Sequence, residues 1–245
     1  MIRFDNVVKK FEGRAVLDGV SFEVTKGEIL VIVGPSGTGK SVTLKHLVRL
    51  LTPTSGSVWL DDIEISSATG KTLEAVRERF GYLFQGGALL GWLTVAENVA
   101  LPLRERTHLS EAEIEMRVVK ALDAVELLPA ADRYPAEISG GMQKRAGLAR
   151  SIVRDADIVL YDEPTSGLDP VTSVMIHRLI RKLNRERGIT SVVVTHDLQG
   201  ALGFATRILL LKGGRAAACL APTDFVNSSD PAVREFLAAT KGEMP

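Results

Sequence analysis

Eight consecutive residues match the pattern G-x-x-x-x-G-K-[ST], which is typical of a phosphate-binding loop. They are Gly34, Pro35, Ser36, Gly37, Thr38, Gly39, Lys40 and Ser41. The glycines would let successive backbone N–H groups converge on the β- and γ-phosphates of a nucleotide. Lys40 would bring a positive charge to both phosphates, and the Ser41 hydroxyl would be a ligand of Mg²⁺. The alternative, a glycine-rich turn that closes a strand, is disfavoured by the number of matched residues.

Two adjacent carboxylates, Asp162 and Glu163, follow the apolar run at 158–161. Ligands bind at the carboxyl edge of a parallel sheet, where such a run would end. We expect Asp162 to hold Mg²⁺, through water, and Glu163 to act as the general base that orients and polarises the attacking water. His196 follows a second apolar run and would donate a hydrogen bond to a γ-phosphate oxygen. Taken alone, a solvated acid pair or a histidine at a strand end would be the ordinary interpretation.

The elements around these residues alternate between strands and helices. Residues 29–33 are apolar at every position, as in a strand buried on both faces of a mostly parallel sheet, and they run directly into Gly34. After the loop, apolar residues recur with helical spacing up to Leu51. Similar patterns predict strands at 2–8, 20–24, 28–33, 157–161 and 190–195, and helices at about 39–51 and 170–187. The order strand, loop, helix is the context that a phosphate-binding loop requires.

A segment of different character interrupts this pattern. Ser110 and Glu113 form a capping-box pair, and apolar residues follow on one helical stripe before Pro129. The stripe comprises Ile114, Val118, Ala121, Leu122 and Val125. We therefore predict one α/β domain, with a nucleotide-binding core at 1–85 and 156–245 and a helical subdomain at 86–155.

Composition and charge exclude several classes of protein. Of 245 residues, 45% are hydrophobic, which excludes disordered and low-complexity classes. The 30 Lys and Arg residues equal the 30 Asp and Glu residues, which argues against a nucleic-acid partner. Cys219 is the only cysteine and cannot form an internal disulfide, which fits a reducing, cytoplasmic compartment. No apolar run approaches the roughly 20 residues that span a bilayer, so we expect any membrane role to come through a partner.

A glycine-containing segment, Ser139, Gly140 and Gly141, begins 99 residues after Lys40 and opens a predicted helix. With the phosphate-binding loop, the acidic pair and His196, it resembles the ATP-binding-cassette ATPase family, whose signature is L-S-G-G-Q. Ile138 and Met142 stand at the two ends of that signature here. The resemblance covers essentially the whole chain. It implies a P-loop NTPase (RecA-like) sheet core with an antiparallel β subdomain and an inserted helical subdomain, and ATP hydrolysis with ATP and Mg²⁺ bound.

The resemblance also implies further site residues. Gln85 falls at the family's Q-loop glutamine, a Mg²⁺ ligand in the catalytic site that links the nucleotide to the helical subdomain; a surface amide is the alternative. Phe11 falls where an aromatic ring stacks on adenine, and a half-buried strand residue is the alternative. Val42, next to the loop, and Asp169, in the D-loop-like segment 166–169, complete the predicted nucleotide contacts.

The resemblance implies a homodimer as well. Two chains would pair head to tail, so that Ser139, Gly140 and Gly141 of one chain close over the γ-phosphate held by Lys40 of the other. A glycine-rich helix N-terminus suits this role because it is an anion site.

The segment at 84–105, Met142 and the tail at 230–237 resemble the ATPase of the maintenance-of-lipid-asymmetry (Mla) type of phospholipid transporter. This resemblance implies an integral membrane permease, a lipid-binding partner of the mammalian-cell-entry type, and a place on the cytoplasmic face of the inner membrane. An amino acid or a lipoprotein is the alternative cargo. A non-transport ATPase and a small-molecule kinase are the alternatives from other classes.

Two apolar segments leave a structural and a functional interpretation open. Leu89, Leu90 and Trp92 are expected to dock on the permease, with the core of the helical subdomain as the alternative. The tail at 231–237 would be either a helix that packs on its own chain or a contact between subunits.

Overall fold

The computed structural model describes residues 1–240, which form two compact units. Met1–Arg77 and the chain from Thr190 onward make the first unit, and Glu78–Ile189 make the second. The domain limits predicted at residues 85 and 156 stay a prediction.

The described residues contain strands and helices in alternation. The strands are β1 (Ile2–Phe11), β2 (Arg14–Val24), β3 (Ile29–Val33), β4 (Ser55–Leu60), β5 (Ile63–Glu64), β6 (Phe80–Leu83), β7 (Ile158–Asp162), β8 (Thr190–Val194), β9 (Arg207–Lys212) and β10 (Arg215–Leu220). The helices are α1 (Lys40–Leu47), α2 (Gly70–Glu78), α3 (Val95–Arg106), α4 (Glu111–Ala124), α5 (Gly140–Ile152), α6 (Pro170–Arg187), α7 (Leu198–Phe204), α8 (Pro222–Val226) and α9 (Pro231–Thr240). Within residues 1–240 no helix has the length and apolar character needed to cross a membrane.

An antiparallel sheet with the order β2-β1-β4-β5 forms one part of the first unit. β1 and β2 are longer than predicted because a two-residue hairpin joins them, in which Glu12 and Gly13 have φ values of 47° and 82°. Two positive φ values are typical of a type I′ turn, whose twist matches that of the flanking strands. Phe4 stacks on Phe22 with ring centroids 4.5 Å apart, and this pair packs in the core of the sheet.

Parallel strands form the other part of the first unit. β3 pairs in parallel with β8 and with β9, and β10 pairs antiparallel to β9. All five residues of β3 are buried, as its apolar sequence predicts. Ile32 lies opposite Val194, so the carboxyl ends of β3 and β8 meet at one edge. The phosphate-binding loop follows β3 at this edge, and His196 follows β8.

Helix α1 ends at Leu47, four residues before its predicted end. Arg49 has a φ of 55°, and the N–H groups of Arg49 and Leu50 donate to the carbonyl oxygens of His46 and Lys45 at 3.1 and 2.9 Å. This is a Schellman motif, with arginine at the position that glycine usually takes. The helix was predicted too long because its apolar spacing continues to Leu51, and Arg49, unlike glycine, does not mark the end of a helix in the sequence.

The tail helix α9 packs on its own chain. Val233 is fully buried, α9 contacts β10, and Glu235 pairs with Lys212 of β9 at 2.5 Å. Of the two interpretations of the tail, the first therefore describes the packing of the single chain.

In the second unit β6 and β7 pair in parallel, with Phe80 opposite Ile158. Along the chain, α3, α4 and α5 lie between these two strands, and α6 follows β7. Helix α4 begins with the predicted capping box: the N–H of Glu113 donates to Ser110 Oγ, and Glu113 Oε2 accepts from the Ser110 N–H at 2.8 Å. Helix α6 has the predicted bounds and ends at Gly188, whose φ is 66°. The predicted α/β fold with an antiparallel part and an inserted helical segment is confirmed.

Candidate functional site

The phosphate-binding loop at 34–41 is braced by its own side chains. Lys40 is only 8% exposed, and its Nζ donates to the carbonyl oxygens of Gly34 and Pro35 at 2.8 and 3.0 Å. Thr38 Oγ1 donates to the Pro35 carbonyl at 2.8 Å. These bonds hold the loop and its lysine together as one preformed structure.

Helix α1 begins directly at the end of this loop. Gly39 is its N-cap, with a φ of 96° and no side-chain cap, and the first turn contains no acidic residue. The first N–H groups of a helix have no partner within the helix and carry partial positive charge. With Lys40, Ser41 and Val42 in its first turn, this helix end is suited to bind phosphate.

Gly34 lets β3 turn into the loop. Its φ is 149°, and a Cβ atom there would lie 2.1 Å from the carbonyl oxygen of Leu211 in β9. We expect Gly34→Ala to lower the free energy of unfolding by about 1–3 kcal/mol or more, measured by urea denaturation. Gly37→Ala is the matched control, because its φ is also positive but a Cβ there meets nothing within 4 Å. Equal losses in the two variants would contradict the steric argument.

The first unit also contains His196 and Phe11. The N–H of Thr195 donates to the carbonyl of Ile32 at 3.2 Å, so the exposed His196 lies at the sheet edge where the loop begins. Phe11 ends β1 and is 42% exposed, with the Lys9 amine 5.1 Å from its ring centroid. A ring exposed to this extent is accessible to a base, and its stacking on adenine stays a prediction.

In the second unit, Asp162 ends β7 and is buried, and its carboxylate has a tyrosine partner on the neighbouring strand. The Tyr82 hydroxyl donates to Asp162 Oδ2 at 3.2 Å, and the Tyr82 ring stacks on Phe84 with centroids 4.2 Å apart. Burial raises the pKa of Tyr82, and the negative charge of Asp162 raises it further. Tyr82 therefore stays protonated and orients the carboxylate as a hydrogen-bond donor.

Glu163 follows directly and has a left-handed backbone with a φ of 50°. Its carbonyl oxygen accepts from the Ser166 N–H at 3.2 Å and from Lys144 Nζ, also at 3.2 Å. Lys144 belongs to α5 and is 5% exposed, and this burial lowers its pKa although Glu163 and Asp162 act in the opposite direction.

Sequence reasoning missed Tyr82 and Lys144. Their contacts join residues 80 and 19 positions apart, and no local pattern marks such pairs. Lys144 carries one usable signal: it lies three residues after Gly141 and four before Leu148, on the buried face of α5. A lysine on a buried face needs a partner, because burying an unpaired charge is costly.

The signature-like segment forms the N-terminus of α5. Ser139 is the N-cap, and its side chain accepts from the Met142 N–H at 3.3 Å. Ser139 and Gly140 are exposed, whereas Gly141 is buried against α6, where a Cβ would lie 2.4 Å from Thr172 Cγ2. The exposed start of the helix is a second place in the chain with the character of an anion site.

Asp169 has a structural task in this fold. It is the N-cap of α6 and accepts from the N–H groups of Val171 and Thr172 at 2.9 and 3.0 Å. The Thr172 hydroxyl also donates to its carboxylate, and these bonds lower the pKa of Asp169. Its predicted contact with a nucleotide stays a prediction.

Gln85 begins a loop, 85–93, that the fold holds firmly. Gln85 is exposed, and its Nε2 donates to Ser166 Oγ at 3.4 Å. Arg150 of α5 donates to the carbonyls of Gly87 and Ala88, each at 2.7 Å. Asn98, fully buried, accepts from the Leu90 N–H and donates to the carbonyls of Leu90, Leu93 and Thr94 at 2.7–3.1 Å.

The structure therefore divides the predicted site residues between the two units. The first unit contains the phosphate-binding loop, His196 and Phe11. The second contains the acidic pair, Gln85, the signature-like segment and Asp169.

Comparison with known protein families identifies the family in which the phosphate-binding loop, the acidic pair and the signature-like segment occur together. The model of the ABC transporter family matches residues 17–166, a stretch that includes the phosphate-binding loop, the signature-like segment and the acidic pair. The chain belongs to the ABC transporter family. It is an ATPase of this family and binds ATP, so the prediction of an ABC ATPase is confirmed. The roles of single site residues stay predictions.

Related ABC proteins include several named transport ATPases. The probable ribonucleotide transport ATP-binding protein mkl of Mycobacterium leprae is 40% identical over 242 residues, which are 96% of this chain and 68% of that protein. The intermembrane phospholipid transport system ATP-binding protein MlaF of Haemophilus influenzae is 39% identical, covering 99% of this chain and 91% of MlaF. The methionine import ATP-binding protein MetN of Carboxydothermus hydrogenoformans is 39% identical, covering 97% of this chain and 71% of MetN.

Solved ABC cassettes have the same fold. The dimeric structure of the cassette MJ0796 in a post-hydrolysis state, bound to ADP and Pi, is 36% identical with a TM-score of 0.82. It covers 91% of this chain, and 99% of its own length is matched. The predicted P-loop NTPase core of this ABC ATPase is therefore confirmed.

Proposed function

We propose that this ABC ATPase powers phospholipid transport through a membrane permease at the cytoplasmic face of the inner membrane. The main support for ATP as the energy source is Lys40, which is buried at the start of α1 and bonded to the carbonyls of the phosphate-binding loop. The Mla-like segment at 84–105 and the similarity to MlaF support phospholipid as the cargo.

The nucleotide binds along the first unit in this proposal. The loop residues from Gly34 to Ser41, with Val42, cradle the phosphates by their N–H groups, and Lys40 contacts the β- and γ-phosphates. Phe11 stacks on adenine, which its exposure on β1 supports.

The residues proposed to hold Mg²⁺ fit this ion chemically. Ser41, Gln85 and Asp162 offer hydroxyl, amide and carboxylate oxygens, and Mg²⁺ prefers oxygen ligands. The Tyr82 hydroxyl orients the carboxylate of Asp162, which is the kind of outer contact that metal ligands commonly have. When bound, the ion neutralises charge on the phosphates.

Hydrolysis follows from the remaining site residues. The oxygen of a water molecule bonds to the γ-phosphorus while the bond from that phosphorus to the oxygen of ADP breaks, which yields ADP and phosphate. Glu163 orients the water and accepts its proton. His196 donates a hydrogen bond to a γ-phosphate oxygen, and Gln85 joins the nucleotide to the loop 85–93.

A homodimer completes the proposed site. Ser139, Gly140 and Gly141 at the start of α5 of one chain would close over the nucleotide of the other, and Asp169 would lie at the same interface. The exposure of Ser139 and Gly140 supports this arrangement, as does the dimeric state of the related MJ0796 cassette.

The loop 85–93 is proposed to pass force to the permease. Trp92 is 74% exposed, whereas Leu89 and Leu90 are only partly exposed. Arg150 and Asn98 fix the backbone between Gln85 and Trp92. Because this loop is held in one conformation, a displacement of Gln85 at the nucleotide would also displace the exposed indole of Trp92. A lipid-binding protein of the mammalian-cell-entry type would complete the transporter on the other side of the membrane.

Trp92→Asp is expected to weaken permease binding at least tenfold while leaving the chain folded. A large exposed indole at a docking surface has the character of a hot spot, whose loss costs roughly 2 kcal/mol or more. The measurement is the amount of membrane partner that co-purifies with the ATPase, together with ATP-dependent transport.

The matched control for this variant is Met116→Asp, because Met116 is 69% exposed but lies on α4, outside the loop. Its co-purification should remain normal. Equal capture of the partner by the Trp92 variant and by the unchanged chain would disprove docking at this loop, and so would unfolding of the Trp92 variant.

The cargo is tested in proteoliposomes that contain the complete transporter purified from its own membrane. We expect ATP-dependent transfer of fluorescent phospholipid between membranes, absent with Lys40→Ala. The similarity to MetN makes methionine the second candidate, and the similarity to mkl adds ribonucleotides. ATP-dependent uptake of either compound, without lipid transfer, would overturn phospholipid as the cargo.

A further inference from the structure

Lys144 is a buried lysine whose amine contacts the backbone of the proposed general base. It lies on the buried face of α5, three residues after Gly141, and its Nζ lies 3.2 Å from the carbonyl oxygen of Glu163. A lysine that is 5% exposed loses most of its hydration. An apolar side chain of similar length would cost less at this position, so stability alone does not account for the lysine.

The backbone that Lys144 contacts is conformationally unfavourable. Glu163 has a φ of 50°, which is uncommon for a residue with a side chain. It also precedes Pro164, and a residue before proline is restricted to extended conformations. Such a conformation persists only where its surroundings fix it. The Glu163 carbonyl accepts hydrogen bonds from Lys144 Nζ and from the Ser166 N–H, and both bonds help to hold this conformation.

We propose that Lys144 is a positioning residue that fixes the backbone of Glu163 and thereby the direction in which its carboxylate projects. This inference rests on the proposed role of Glu163 as general base. Displacement of a catalytic group by about 1 Å can cost on the order of 10²-fold in rate. In this proposal the amine of Lys144 acts on the rate through Glu163.

The first test is Lys144→Met in the full-length chain, a change that keeps side-chain length and removes the donor. We expect kcat for ATP to fall by about 10- to 100-fold with KM nearly unchanged, while the thermal melting temperature stays the same or rises. Rates are normalised to the fraction of chains that bind a fluorescent ATP analogue.

Lys144→Arg should restore much of kcat, because guanidinium also donates to a carbonyl. Lys144→Gln, shorter and polar, should behave as the Met variant does and provides a second folded variant.

A double-mutant cycle with Glu163→Gln separates this inference from the proposed function. If Lys144 acts through Glu163, Lys144→Met will slow the chain that retains Glu163 but will not slow the Glu163→Gln chain further. An equal slowing in both backgrounds would overturn the inference, and so would normal kcat in Lys144→Met beside a slow Glu163→Gln. Normal hydrolysis by Glu163→Gln itself would instead overturn the proposed base, and the inference with it.

Discussion

Lys40→Ala is expected to reduce ATP binding and turnover almost to background. Lys40 is 8% exposed and its amine is bonded to two loop carbonyls, so in the proposed site it would meet the phosphates already oriented. Losing one partner of a buried charge interaction costs about 2–5 kcal/mol, which corresponds to roughly 30-fold to several thousand-fold in affinity. Fluorescent-nucleotide titration and phosphate release measure the two effects.

The matched control for this variant is Lys45→Ala, because Lys45 lies in the same helix but is exposed. Removing an exposed lysine changes the charge of the chain equally without touching the loop. A Lys40→Ala chain that hydrolyses ATP at the normal rate in the assembled transporter would refute the assignment of the phosphate-binding loop.

The sequence predicts well those parts of the structure that are determined by residues close together in the chain. The loop at 34–41 follows from its own pattern, and α6 has its predicted bounds because Asp169 caps its start and Gly188 its end. The same local reasoning gave too long a helix at α1, where Arg49 adopts a left-handed conformation without the usual glycine. It also missed the Glu12-Gly13 hairpin, so β2 was expected to begin six residues late.

The parts that sequence could not predict depend on contacts between distant residues. Tyr82 meets Asp162 only because β6 and β7 pair in parallel. Lys144 meets Glu163 only because α5 packs on β6, the neighbour of the strand that Glu163 follows. The exposure of Trp92, in contrast to the partial burial of Leu90, likewise depends on how Asn98 holds the loop. Tyr82, Lys144 and Asn98 each hold a predicted site residue in place. None of the three belongs to a sequence motif, so the sequence did not mark them.

Glu163→Gln is expected to slow hydrolysis by about 10²- to 10⁴-fold with ATP affinity preserved, which is the range for loss of a positioned base. Glutamine has the shape of glutamate, and the bonds to the Glu163 carbonyl come from its backbone, so the left-handed turn should remain. Only the proton acceptor is lost. Single-turnover phosphate release and nucleotide titration distinguish slow chemistry from weak binding.

The slow variant should also accumulate as an ATP-bound dimer, because closure over the γ-phosphate would no longer be followed by its removal. Light scattering with Mg-ATP is then expected to show twice the mass of the monomer, and the mass should return to that of the monomer when ADP replaces ATP. Glu115→Gln, an exposed carboxylate on α4, is the control and should hydrolyse ATP at the normal rate. A persistent monomer in the complete transporter would contradict the head-to-tail pairing. Dimer formation with undiminished hydrolysis would instead contradict the role of Glu163, because the base would then lie elsewhere.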